Sequence, residues 1–183
     1  MVIKLKELAK NIKIAELDLI TRPVGKTIYN KVIENISHIS EGETVIIDFE
    51  NIKVIDFSFV DEFVIKLIDN AKNAENKRFY VKLKNISEIA QKNIKAVIKS
   101  YTEYGKKVLV ITEDLNINNT FYLGDMNENE NKVFNSIRIN NYSTLEDLKF
   151  ITQMDIGSLT ESLSSLLDCN CIKLDFDGKY TII

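Results

Sequence analysis

The stretch TVIIDFENIKVIDFSFVDEFVIKLI, Thr44 to Ile68, changes period part-way along. Its opening, TVIIDF, is a short run of β-branched and aromatic residues, the composition of a buried strand. From Phe59 onward, Phe59, Phe63 and Leu67 fall beside Val60, Val64 and Ile68, which is the apolar face of a helix. A strand leading into an amphipathic helix is the start of a βα unit. Ser58 stands where the period changes. Ser58 and Asp61 have the spacing of a capping pair, with an acidic side chain in the positive first turn, so the hydroxyl reads as the helix cap. A helix N-terminus also accommodates phosphate through its free N–H groups and dipole. Ser58 therefore has a second reading, as a residue that another protein modifies, adding charge next to Asp56, Asp61 and Glu62.

The same alternation runs through the first 125 residues. Strand-like runs fall at Met1 to Leu8, Thr44 to Phe49, Arg78 to Leu83, Lys107 to Thr112 and Thr120 to Leu123. Between them, TRPVGKT opens a helix with Thr21 as N-cap, Pro23 in the first turn and Val24, Ile28, Val32, Ile36 and Ile39 as its stripe. A further helix follows NISE, where Asn85 and Glu88 have capping-box spacing, and ends near Gly105. The pattern predicts an α/β domain over 1–125 with a largely parallel sheet.

The texture changes at GDMNENENK, a polar, glycine-containing boundary. Three short helical patterns follow: Val133, Phe134 and Ile137; Leu145, Leu148 and Ile151 behind a Ser143 cap; and Ile156, Leu159, Leu163, Leu166 and Leu167. The end, CIKLDFDGKYTII, places Asp177-Gly178 between two alternating runs and predicts a two-residue hairpin. Three helices and a hairpin over 126–183 outline a small winged-helix (α+β) domain.

Charge and composition narrow the function. The chain of 183 residues is 45% apolar and 28% charged, the balance of a globular protein. Its longest apolar runs are strand-sized, which predicts a cytoplasmic protein with no membrane role. The net charge of −3 is uneven: residues 126–183 hold 5 basic and 9 acidic side chains. A DNA reader presents lysine or arginine to phosphates, yet IGSLTESLSSLL exposes Ser158, Thr160, Glu161, Ser162, Ser164 and Ser165 with no basic residue. Only Lys173 and Lys179, in the wing, are placed to touch a DNA backbone.

Other motifs carry little chemistry. VGKT matches the end of a phosphate loop, but position 20, where that motif needs glycine, is Ile. His38, the only histidine, falls near the end of a helix and reads as a solvated or capping residue. Cys169 and Cys171 lack the further ligands of a zinc site and would point to opposite faces of a strand. No catalytic residue, metal site or cofactor is expected.

TVIIDFENIKVIDFSFVDEFVIKLI, preceded by LITRPVGKTIYNKVIE, resembles the STAS-like family, relatives of the bacterial anti-sigma factor antagonists. The family's strand ending in IDF and its SFxDE motif stand here as Ser58, Phe59, Val60, Asp61 and Glu62, and the upstream TR as Thr21 and Arg22. The resemblance covers about residues 1 to 110. It implies a small α/β domain, with a mixed sheet and flanking helices, that signals by binding and does no chemistry of its own. In the true antagonists the serine opening this helix is phosphorylated by an anti-sigma kinase of the histidine-kinase-like ATPase type, and Ser58 occupies that place. They follow it with glycine; here Phe59 follows.

The resulting expectation is a non-enzymatic, two-domain regulatory protein that binds a protein partner reversibly, in the manner of an anti-sigma factor antagonist. Thr21, Arg22, Asp56, Ser58, Asp61 and Glu62 form its partner-binding and phosphorylation site. The alternative is a transcription regulator contacting DNA through Lys173, Lys179, Ser158 and Thr160, which calls for a basic patch assembled across a homodimer. A deep pocket gathering several carboxylates would instead point to an enzyme.

Overall fold

A computed structural model describes residues 1–14, 18–73, 78–113 and 120–183. The chain divides into two compact units, Met1–Gly124 and Asp125–Ile183.

The first unit is built on a five-stranded sheet in the order β1 (Val2–Lys4), β2 (Thr44–Asp48), β3 (Tyr80–Lys84), β4 (Val110–Glu113) and β5 (Thr120–Leu123). The first four strands are parallel and β5 returns antiparallel to β4. Parallel neighbours in sequential order need a crossover each, and crossovers are right-handed, so successive helices fall on the same side of the sheet. These helices are α1 (Leu5–Asn11), α2 (Arg22–Ile36), a continuous helix over 57–73 and α5 (Glu88–Glu103). The helix over 57–73 consists of α3 (Phe57–Phe59), a π-helical segment (Val60–Ile65) and α4 (Lys66–Asn73). Ile3, Val45, Ile47, Val81, Leu83, Val110 and Leu123 point from the sheet into one core with Ile28, Val32, Phe59, Phe63, Ile94 and Ile98. On the opposite face the pairing aligns Val2, Ile46, Lys82, Ile111 and Tyr122. Lys82 is half-buried there, and that burial holds its ammonium below the ordinary lysine value.

Several local readings are corrected. The strand at the N-terminus stops at Lys4, because Leu5, Leu8 and Ala9 are buried at helical spacing and draw the chain into α1. The cap of α5 is Ser87, whose hydroxyl accepts from the Ala90 N–H; Asn85 is in the left-handed region at φ 61 and donates instead to Asp48 at 2.7 Å. Asn85 stands too far upstream to reach the first turn.

The second unit packs α6 (Glu128–Asn140), α7 (Leu145–Thr152) and α8 (Ile156–Asp168) with a two-stranded antiparallel sheet, β6 (Ile172–Leu174) and β7 (Tyr180–Ile182). Val133, Phe134, Ile137, Leu148, Leu159, Leu163 and Leu166 are buried, and so are Cys169 and Cys171. Asn127 and Glu130 form a capping box on α6, and the buried Glu130 also accepts the Ser165 hydroxyl at 2.6 Å. The cap of α7 is Thr144, paired with Asp147, and not Ser143. Ser143 is buried and exchanges two backbone hydrogen bonds with Tyr180, which removes it from capping and ties the α6–α7 turn to β7.

The hairpin turn is longer than the two residues expected. Asp175 N–H donates to Lys179 O, so Phe176, Asp177 and Gly178 form the loop, with Gly178 at φ 75. Asp175 Oδ1 takes the N–H groups of Asp177 and Lys179, which favours the three-residue form with glycine in the left-handed position.

Gly124 closes the first unit at φ 119, and a Cβ there would lie 2.5 Å from the Val108 carbonyl oxygen. Both the backbone angle and the space exclude a side chain. Gly124→Ala is expected to destabilise the protein by more than about 1 kcal/mol in urea titration, whereas Gly42→Ala, with open space around it, bears only the backbone strain and should cost less.

Candidate functional site

The start of the helix over 57–73 is held by Asp56, not by Ser58. Asp56 Oδ1 accepts the Phe59 N–H at 2.7 Å, satisfying one of the helix's unpaired donors. Its other oxygen accepts the Thr21 N–H at 3.0 Å, so one carboxylate ties together the starts of two helices. Ser58 is inside the first turn, where its hydroxyl cannot reach back to cap. It is half-buried, and among the described residues its Oγ has no hydrogen-bond partner. Thr21 precedes α2 as its first non-helical residue, but at φ 77 its hydroxyl makes no cap bond.

Arg22, the first residue of α2, spans to the neighbouring helix. Its Nη2 donates to Asp61 at 2.8 Å and its Nη1 to Glu62 at 2.8 Å. Both acceptors belong to the π-helical segment, a wide turn of the kind that recurs at functional sites. Glu62 is buried, at 6% exposure, and takes a second cation, Lys66. The Lys66 hydrogen bond, with Arg22 next, holds the Glu62 carboxyl below the ordinary glutamate range despite its burial. The two carboxylates in turn raise the Arg22 guanidinium.

Gly25 makes this approach of the two helices feasible. A Cβ at Gly25 would stand 3.1 Å from the Glu62 Cβ and 3.4 Å from the Phe59 backbone. The glycine of VGKT thus serves helix packing, inside α2, and not a phosphate loop.

Helix α5 supplies the other wall. Tyr101 donates its hydroxyl to Asp61 at 2.6 Å, and Asn93 donates to the Ile55 carbonyl at 2.6 Å. Burial, followed by the bond to Asp61, pushes the Tyr101 hydroxyl up to about 12, so it remains a donor throughout the neutral range. Between the walls lies an open groove of about 560 Å³, lined by Arg22, Phe57, Ser58, Asp61, Ser100 and Tyr104, among others. Phe57 is 56% exposed and Tyr104 88% exposed, so two large, solvent-exposed aromatic side chains flank the groove.

Residues 24–91 match the model of a family described as a STAS-like domain of unknown function. This segment is STAS-like. The match takes in α2 from Val24 onward and the helix over 57–73 with Ser58, but begins after Arg22 and ends before Tyr101. No curated protein matches the chain. The five-stranded sheet and its flanking helices bring Thr21 onto Asp56 and Arg22 onto Asp61 and Glu62, and Ser58 lines the groove beside Arg22 and Asp61.

Sequence reasoning missed Phe57, Lys66, Tyr101 and Tyr104. The two tyrosines leave a faint signal, three residues apart at the end of an amphipathic helix, but nothing in the sequence aims them at Asp61.

The other expected site residues belong to the second unit. Thr160 is exposed and donates to the Ile156 and Gly157 carbonyls; Ser158 is half-buried. Ser162, expected on the exposed face of α8, is buried with its hydroxyl on the Ser158 carbonyl, and Ser165 is half-buried against Glu130. Lys179 stands 5.2 Å over the Tyr142 ring and 4.0 Å from Asp177, while Lys173 is half-buried on β6. Among the described residues no helix is long and apolar enough to cross a membrane.

Two outcomes follow from the cap and from Glu62. Asp56→Ala is expected to cost about 0.5–2 kcal/mol in denaturant titration, and Ser58→Ala less than about 0.5 kcal/mol, as for a side chain with no bond to lose. Because the folded-state pKa of Glu62 is lowered, its contribution is complete above the ordinary glutamate value and is lost as pH falls through the lowered one. Glu62→Gln should therefore flatten the stability–pH curve on the acid side of pH 4.5; curves of unchanged slope would contradict that reading.

Proposed function

We propose that this protein is a non-enzymatic regulator that binds a protein partner reversibly through the Phe57–Tyr104 groove, in the manner of an anti-sigma factor antagonist. The observation that carries the reading is the state of Ser58. Asp56 does the capping, so among the described residues the Ser58 hydroxyl is left without a bond, in a groove rimmed by exposed aromatics. Aromatic side chains with exposed faces are the usual anchors of protein interfaces. A helix N-terminus also favours added negative charge on the serine, while Asp56 and Asp61 oppose it; the balance makes the surface sensitive to modification. The partner this reading calls for is an ATPase of the anti-sigma kinase type, acting on Ser58 in the cytoplasm of a bacterium.

For the second unit we propose a winged-helix arrangement, supported by three helices followed by an antiparallel hairpin. Its role is protein contact ahead of DNA contact, since α8 exposes no basic residue and Lys179 is engaged with Tyr142 and Asp177.

The test is purification of the tagged full chain from its host, followed by titration of the ATPase that accompanies it. Ser58→Asp is expected to weaken that binding about tenfold or more while the urea midpoint stays near that of the unmodified protein. Phe57→Ala and Tyr104→Ala should weaken it as well. Binding indifferent to all three substitutions would place the partner elsewhere and refute the proposal.

A further inference from the structure

The wall of the groove formed by α5 continues into a basic face. The exposed positions of this helix and its C-cap are Glu88, Ile89, Lys92, Lys95, Ala96, Lys99, Ser100, Thr102, Glu103 and Tyr104. On a helix, residues four apart form a row. One row holds Lys92, Ala96, Ser100 and Tyr104, the last three of which line the groove. The row beside it holds Lys95, Lys99 and Glu103. Among the described residues none of these three lysines has an ion pair or hydrogen bond.

The facing wall is different. Asp56 accepts two backbone N–H groups, Asp61 accepts from Arg22 and Tyr101, and Glu62 from Arg22 and Lys66. Its carboxylates are thus already engaged. The unspent charge of the site is the positive charge of α5, alternating with apolar Ile89, which is 52% exposed, and Tyr104.

We infer that the exposed face of α5 receives an acidic, amphipathic segment of the protein partner, its carboxylates on Lys92, Lys95 and Lys99 and its apolar side chains along Ile89, Ala96 and Tyr104. This rests on the reading of the groove as a partner surface, and assigns that partner its chemistry. Charge complementarity of this kind sets orientation and speeds encounter, while the aromatic rim holds the bound state. A basic face beside an aromatic is also a feature of nucleic-acid binders, but the chain's net charge of −3 and the flanking Glu88 and Glu103 favour a protein segment.

The full chain can be titrated at low salt with a labelled synthetic peptide of leucine and glutamate in helical amphipathic order. Its lysine counterpart and a single-stranded RNA of mixed sequence serve as comparisons, with amide chemical shifts recorded. The acidic peptide is expected to bind, with shifts gathered at 89–104 and around Phe57. Lys92→Glu, Lys95→Glu and Lys99→Glu together should weaken it at least about tenfold and turn the preference to the lysine peptide. All three side chains are exposed, so the urea midpoint of the triple variant should stay near that of the unmodified protein; Lys→Gln at the same positions should weaken binding without reversing it. RNA binding in place of peptide binding, shifts spread over all the lysines, or an acidic peptide indifferent to the triple variant would overturn the inference. Partner binding that depends on Phe57 and Tyr104 but not on the three lysines would overturn it too, while leaving the proposed function standing.

Discussion

The guanidinium of Arg22 holds the first turn of α2 against the π-helical segment, and the site depends on that clamp. Exposed ion pairs contribute little to stability as a rule, because water competes for both partners. This one differs in two respects. The fork of Arg22 meets two carboxylates at 2.8 Å each, and one of them, Glu62, is buried. Planar, forked recognition adds geometry to the attraction. Removing Arg22 leaves a buried carboxylate with Lys66 alone, and an under-compensated buried charge costs more than the pair itself contributes.

From that clamp the rest of the site follows. Gly25 lets the two helices approach closely enough for the clamp to close. Asp61, held by Arg22, is in place to accept from Tyr101, which joins α5 to the same network. Asp56 takes over the cap and frees Ser58. The groove's hydroxyl, aromatic rim and lysine face thus stand on three elements that brace one another.

The architecture was legible in the sequence wherever one period dominated. TVIIDF and the Phe59–Phe63–Leu67 spacing mark a strand and helix that the structure contains, because apolar periodicity is imposed by a core. Caps were less legible. Ser58, Asn85 and Ser143 each satisfy a capping rule on paper, yet Asp56, Ser87 and Thr144 do the capping. Several polar residues crowd each helix start, and tertiary contacts choose among them: Asn85 is drawn to Asp48 and Ser143 to Tyr180. The residues of the site were visible only on the STAS-like segment and just before it. Tyr101 and Tyr104 come from a helix that reaches the groove through the fold, and no local spacing announces such a contact.

A double-mutant cycle on Arg22→Ala and Glu62→Gln, read by urea unfolding of the full chain, tests the clamp most directly. Coupled residues depart from additivity, and independent ones do not. The double variant is predicted to be no less stable than Arg22→Ala alone, since neutralising Glu62 removes the buried charge that the first change strands. Losses that simply add would show that Arg22 and Glu62 act independently, and the clamp would not be what sets the groove.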